Sequence, residues 1–137
     1  MYILVVDDEP GDCQTMADTL TRAGYNVSKA GDAVTAARLM AHEPKIDLLV
    51  TDISLPGTNG CELARQMLAD RPELKILFVS GYVGSEVCRY YGVPITDSLF
   101  LRKPFTSKEL LERVNAVLAS TEPVTLSAPT SGAGGAA

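Results

Sequence analysis

The 137-residue chain predicts an α/β domain, a parallel sheet covered by helices on both faces. Short apolar runs alternate along it with segments of helical spacing, the βαβ pattern. Residues 48–50 and 76–79 are apolar throughout, as strands buried on both faces must be. Asp7 and Asp8 follow the first run and Asp52 the third, so acids gather at the sheet's carboxyl edge, where open α/β folds bind ligands.

The first strand is residues 2–6. A helix follows from about residue 11, with Cys13, Met16, Ala17, Leu20 and Ala23 at helical spacing, and Gly24 stops it. Residues 25–29 alternate apolar and polar side chains, which predicts a strand near the sheet's edge. The second helix spans residues 32–40, and the third strand, residues 48–50, ends one threonine before Asp52. Pro56 and Gly60 punctuate a loop, after which residues 61–69 form a third helix with Ala64, Met67 and Leu68 facing inward.

Residues 76–79 are the fourth strand. Residues 84–91 suit a fourth helix that Gly92 and Pro94 end early, and residues 95–98 are either loop or the start of the fifth strand. Residues 99–101 belong to that strand. Thr106 or Ser107 caps a fifth helix, with Glu109 in its first turn and Leu110, Leu111, Val114, Val117 and Leu118 on one face. From residue 120 the composition turns to Ser, Thr, Pro, Gly and Ala, so residues 1–119 are expected to form one domain and 120–137 a flexible tail or linker.

A hydrophobic fraction of 46% supports a packed core. Lys and Arg total 12 against 17 Asp and Glu, a net charge of −5 with no basic block, which argues against nucleic-acid binding by this segment. No apolar stretch approaches the roughly 20 residues needed to span a bilayer, and the N-terminus enters a strand without a charged leader. Cys13, Cys61 and Cys88 are odd in number and widely spaced, which predicts free, mostly buried thiols in a reducing compartment. The expected location is the cytoplasm.

Three carboxylates a few Å apart raise one another's pKa and are hard to keep ionised without a cation between them. Mg²⁺, or Mn²⁺, prefers oxygen ligands and needs only one or two protein carboxylates. Asp8 and Asp52 are candidates for direct contact and Asp7 for contact through water, with the backbone carbonyl of Ser54 turned towards the ion. The plainer alternative makes Asp7 and Asp8 a solvated loop and helix cap. Ser80 ends the fourth apolar run and Lys103 the fifth, so both project over the same edge. Singly these are an ordinary strand-end serine and a solvated lysine; together with the acids they form a phosphoryl-binding set, because a lysine is a compact charge able to pair with Asp52 or a phosphoryl oxygen.

Over residues 1 to about 119 the chain resembles the receiver domain of two-component response regulators. The resemblance rests on Val5-Val6-Asp7-Asp8-Glu9-Pro10, Thr51-Asp52-Ile53-Ser54-Leu55-Pro56 with Gly60, Ser80-Gly81, and Leu101-Arg102-Lys103-Pro104-Phe105. It implies a flavodoxin-like (βα)5 three-layer sandwich with strand order 2-1-3-4-5. It also implies that Asp52 is the phosphoacceptor, taking phosphate from the phosphohistidine of a histidine kinase or phosphotransfer domain. Such a protein is a regulatory phosphoacceptor that catalyses only its own phosphorylation and dephosphorylation.

Further roles are implied residue by residue. The Lys103-Pro104 bond is expected to be cis. Ser80 moves towards the phosphoryl group, and Phe100, three residues before the lysine, rotates into the space vacated; the alternative for Phe100 is a plain core aromatic. Ser54 and Tyr82 flank the path of the attacking water, and Gly81 leaves that face open. Output is expected through a partner bound across helix four, strand five and helix five, a surface that also suits a homodimer, with no membrane or nucleic acid engaged. Two alternatives stand beside this: a Mg²⁺-dependent phosphatase of the haloacid dehalogenase type, and a receiver-like binding module that is never phosphorylated. The first places its nucleophile after strand one in an Asp-x-Asp pattern, where this chain has Asp7-Asp8-Glu9.

Overall fold

Each helix begins where a side chain takes up a backbone donor that the helix itself leaves unpaired. The structure is a computed structural model that describes residues 1–81 and 99–120. Its strands and helices are β1 (Tyr2–Val6), α1 (Pro10–Arg22), β2 (Asn26–Ala30), α2 (Ala33–His42), β3 (Ile46–Asp52), β4 (Ser54–Leu55), β5 (Thr58–Asn59), α3 (Gly60–Asp70), β6 (Lys75–Ser80), β7 (Phe100–Arg102) and α4 (Ser107–Ala119). The helix labelled α4 is the fifth helix expected from the sequence.

Glu9 caps α1, with Pro10 in its first turn, where a missing N–H costs nothing. Asp32 accepts from the Thr35 N–H at 2.7 Å to start α2, and Asn59 from the Glu62 N–H at 2.8 Å to start α3. At α4, Thr106 accepts from the Glu109 N–H at 3.1 Å while the Glu109 carboxylate accepts from the Thr106 N–H at 2.8 Å, a reciprocal capping box.

Five parallel strands form the sheet in the order β2-β1-β3-β6-β7. Counted among themselves, these strands run 2-1-3-4-5, the flavodoxin-like order, with β2 at the edge as its alternating pattern predicts. Side chains alternate between two cores. Leu4, Val6, Leu49, Ile76 and Phe78 pack on one face with Met40 of α2 and Leu63 and Met67 of α3. Ile3, Val5, Leu48, Val50, Leu77 and Val79 pack on the other with Met16 and Leu20 of α1 and Leu110 and Val114 of α4. Each fully buried side chain of this kind is worth about 1.5–3 kcal/mol relative to exposure. A helix cap is worth about 1 kcal/mol, so packing dominates stability while capping sets boundaries.

Register carries the strand ends to one edge: Val6 lies beside Thr51, Asp52 beside Val79, and Ser80 beside Arg102. Two features depart from the sequence-based expectation. The β3 strand runs on through Asp52, and the loop after it contains a two-residue hairpin, β4 on β5, with Ser54 opposite Asn59. Pro56 and Gly57 form its turn, and Gly57 at φ +76° supplies the left-handed conformation that a type II turn needs at that position.

Cys13 is free and buried, as expected, but Cys61 is disulfide-bonded, which corrects the expectation of three free thiols. Sequence spacing says nothing of which sulfurs folding brings together. No helix among the described residues is long and apolar enough to cross a membrane. The expected fourth helix, Tyr82, Cys88 and the tail after residue 120 lie outside the described residues.

Candidate functional site

Two central strands deliver the acids. β1 ends at Val6, and the Asp7 N–H donates to the Ala30 carbonyl at 3.1 Å, so the Asp7 side chain leaves the sheet edge buried. Its Oδ1 accepts from the Glu9 N–H at 2.9 Å. Asp52, the last residue of β3 and also buried, uses its Oδ1 to accept from the Ser54 N–H at 2.9 Å. Asp8 is exposed beside them, and one oxygen from each of Asp7, Asp8 and Asp52 lies within 4.8 Å of the others. This cluster of hard oxygen donors fits a small divalent cation, as the sequence predicts.

Gly60 fixes the height of Asp52. The Gly60 N–H donates to the Ile53 carbonyl at 2.7 Å, pulling the start of α3 over the end of β3. A Cβ on Gly60 would stand 2.1 Å from the Asp52 carbonyl oxygen and 3.0 Å from Thr51 Oγ1, so only glycine permits this approach.

Lys103 closes the site from the far side of the sheet. Its backbone N–H donates to the Ser80 carbonyl at 2.9 Å, extending the ladder by one residue. Its Nζ donates to Asp7 Oδ2 and Asp52 Oδ2, each at 2.7 Å. Burial alone pushes the ammonium down; the hydrogen bonds and charges of Asp52 and Asp7 outweigh it, so the lysine's net shift is upward and it stays charged through the physiological range. Burial also pushes the Asp7 carboxyl up, aided by the Asp52 charge, and the hydrogen bonds from Lys103 and Glu9 offset this only in part. Asp7 therefore holds its charge at a cost that a nearby cation reduces.

The structure brings Asp7, Asp8, Asp52 and Lys103 together, with Ser80 buried on the same edge at the end of β6. The Lys103-Pro104 bond is cis, as expected. Gly81 is exposed, and a Cβ there would meet nothing within 4 Å. Phe100 is half-buried, paired in register with Phe78 and packed against the α2/α3 core, while Ser54 contributes its N–H to Asp52. Tyr82 lies outside the described residues. Sequence reasoning missed Asp12, whose Oδ2 is 3.1 Å from Lys103 Nζ. An acid in the first turn of a helix is ordinarily explained by the helix dipole, and nothing in the sequence ties it to a lysine 91 positions away.

Comparison with known proteins agrees with this geometry. The response regulator receiver domain family matches residues 3–115. Response regulator MprA of Mycobacterium leprae is 34% identical over 123 residues, covering 90% of this chain and 53% of that protein. The phosphate regulon transcriptional regulatory protein PhoB of Pseudomonas aeruginosa is 34% identical over 128 residues, covering 93% of this chain and 56% of that one. The chain thus spans about half the length of these curated relatives. Among solved structures, a response regulator receiver protein from Sinorhizobium medicae superposes with a TM-score of 0.77 at 31% identity, over 89% of this chain and 97% of that one. The non-phosphorylated HemR receiver domain from Leptospira biflexa gives 0.72 at 32% identity, over 90% and 98%. The phosphatase alternative gains no support from these matches.

Proposed function

The chain belongs to the response regulator receiver domain family of two-component signalling, and from that premise we propose that Asp52 is its phosphoacceptor. The observation that carries this is the Lys103 ammonium held 2.7 Å from both Asp7 and Asp52 at the carboxyl edge of the sheet. A donor phosphohistidine of a histidine kinase or phosphotransfer domain loses its phosphorus–nitrogen bond as an Asp52 oxygen bonds to phosphorus, and the leaving imidazole takes up a proton. Asp52 is a weak nucleophile, so positioning and charge supply most of the catalysis. Lys103 turns from the carboxylates to a phosphoryl oxygen, and the Ser80 hydroxyl takes another. Asp7, Asp8, Asp52 and the Ser54 carbonyl would hold Mg²⁺ or Mn²⁺, which when bound would add positive charge against the phosphoryl oxygens.

The remaining roles follow the same proposal. Phe100 follows Ser80 inward as the switch, while Ser54 and Tyr82 govern access of hydrolytic water and Gly81 keeps the face open. Residues 1–119 act as a cytoplasmic receiver that catalyses its own phosphorylation and dephosphorylation, with 120–137 as a tail or linker. The phosphorylated state is read by a protein partner, or a second copy, across β7, α4 and the segment where the sequence predicts the fourth helix.

Incubation of the chain with Mg²⁺ and acetyl phosphate, followed by intact mass and peptide mapping, tests the assignment. One phosphoryl group on Asp52, absent from Asp52→Asn, is the expected result. Phosphate on Asp7 with turnover of a phosphomonoester points to the phosphatase instead, and no modification points to the unphosphorylated binding module.

The raised Asp7 pKa gives the metal a defined pH dependence. The cation binds the carboxylate and not the protonated acid, so affinity is lost as pH falls through the Asp7 pKa and levels off above it. Below that pKa the Mg²⁺ association constant should fall by about tenfold per pH unit for one coupled proton. Calorimetric titration from neutral to mildly acidic pH checks this, and an affinity independent of pH contradicts it.

A further inference from the structure

Among the described residues, Lys103 carries one contact that the phosphoacceptor site does not require. Its ammonium has three N–H donors, and three carboxylates take them: Asp7 and Asp52 at 2.7 Å each, and Asp12 at 3.1 Å. The three acids differ in their access to water, because the Asp7 and Asp52 side chains are 0% and 9% exposed whereas Asp12 is 52% exposed. Asp12 belongs to the first turn of α1, so it joins the lysine to a helix that supplies none of the acids Asp7, Asp8 and Asp52. Beside it lies a cavity of about 420 Å³ whose wall includes Asp12, Thr15, Met16, Lys103, Pro104 and Phe105. Its mouth therefore combines an apolar surface with one outward-facing negative charge.

We propose that Asp12 is a positioning and specificity residue, which tethers Lys103 and sets the site against small anionic phosphodonors in favour of a docked protein donor. This rests on Asp52 being the phosphoacceptor. To receive a phosphoryl oxygen, Lys103 has to redirect one N–H, and the contact it gives up most readily is the longest and most solvated one. Lys103 and the cation act alike on every donor, so a free phosphodonor meets the added Asp12 repulsion without the docking contact that a protein donor brings. A protein donor covers the exposed Thr15 and Pro104 and the half-buried Phe105 as it arrives, and that contact offsets the same repulsion.

The test measures initial rates of Asp52 phosphorylation of the full chain with Mg²⁺ by intact mass, using acetyl phosphate and the less charged phosphoramidate at low and high ionic strength. At low salt Asp12→Asn should react about three- to tenfold faster than the native chain with acetyl phosphate, and gain less with phosphoramidate. High salt should erase most of the gain, and Asp12→Glu should retain the slow native rate. A purely structural role for Asp12 would not produce this dependence on donor charge and salt. Asp12→Asn reacting no faster than the native chain, or a gain that is equal for both donors and insensitive to salt, overturns the proposal while leaving Asp52 as acceptor. Absence of phosphate from Asp52 in the native chain overturns the acceptor assignment and this inference together.

Discussion

Gly60→Ala is expected to destabilise the chain by about 3 kcal/mol, the upper end of what overpacking a tight contact costs. The added methyl would sit 2.1 Å from the Asp52 carbonyl oxygen, a backbone atom that cannot rotate away. Relief requires α3 to lift from the end of β3, which lengthens the 2.7 Å hydrogen bond from the Gly60 N–H to the Ile53 carbonyl and moves the Asp52 side chain. Urea denaturation should show the loss of stability, and phosphorylation of whatever fraction remains folded should be slower. Gly81→Ala is the matched control, because its Cβ enters open space and stability should change little. A Gly60→Ala protein with the native urea midpoint contradicts the packing described.

Lys103→Met should give the second large effect. It removes the cation shared by two buried carboxylates, and breaking a buried ion pair from one side costs about 3–5 kcal/mol. The cost has a pH signature. Without the ammonium, Asp7 loses the contact that now offsets its burial, so its folded pKa rises further above the unfolded value. A carboxyl raised in this way favours the folded state below its unfolded pKa and opposes it as pH rises through the folded pKa. The stability deficit of Lys103→Met should therefore be largest at neutral pH, shrink as pH falls into the acid range, and shrink also when Mg²⁺ is added. Phosphorylation by acetyl phosphate should slow by about 10²–10³-fold, the usual cost of removing a charge-stabilising donor. Thermal melts at several pH values with and without Mg²⁺ check the first part, and a deficit constant across pH contradicts it.

Much of this architecture was legible in the residues because its determinants are local and repeated. Residues 48–50 and 76–79 have no polar face to mislead, and both lie in central strands. Asp7, Asp52, Ser80 and Lys103 are each marked by an apolar run that ends at them, so a parallel sheet aligns them whatever the loops do. What escaped depends on contacts between distant segments. The β4–β5 hairpin has two residues per strand, too few for any periodicity to register. Gly60 looks like loop punctuation until the Asp52 carbonyl is found where its side chain would go. Asp12 looks like an acid at a helix start until Lys103 arrives from the other end of the chain, and the Cys61 disulfide leaves no trace in spacing.

The position of β7 in the sheet separates the partners of the site by mechanical persistence. Asp7 and Asp52 are rooted in β1 and β3, strands with a neighbour on each side. Lys103 follows a three-residue strand that, among the described residues, has a neighbour on one side only. Amide exchange of proteins proceeds through partial openings that begin at such short, weakly tied elements. The ammonium can thus be released by fraying at the margin of the sheet while the carboxylates stay fixed in its slowest-exchanging part.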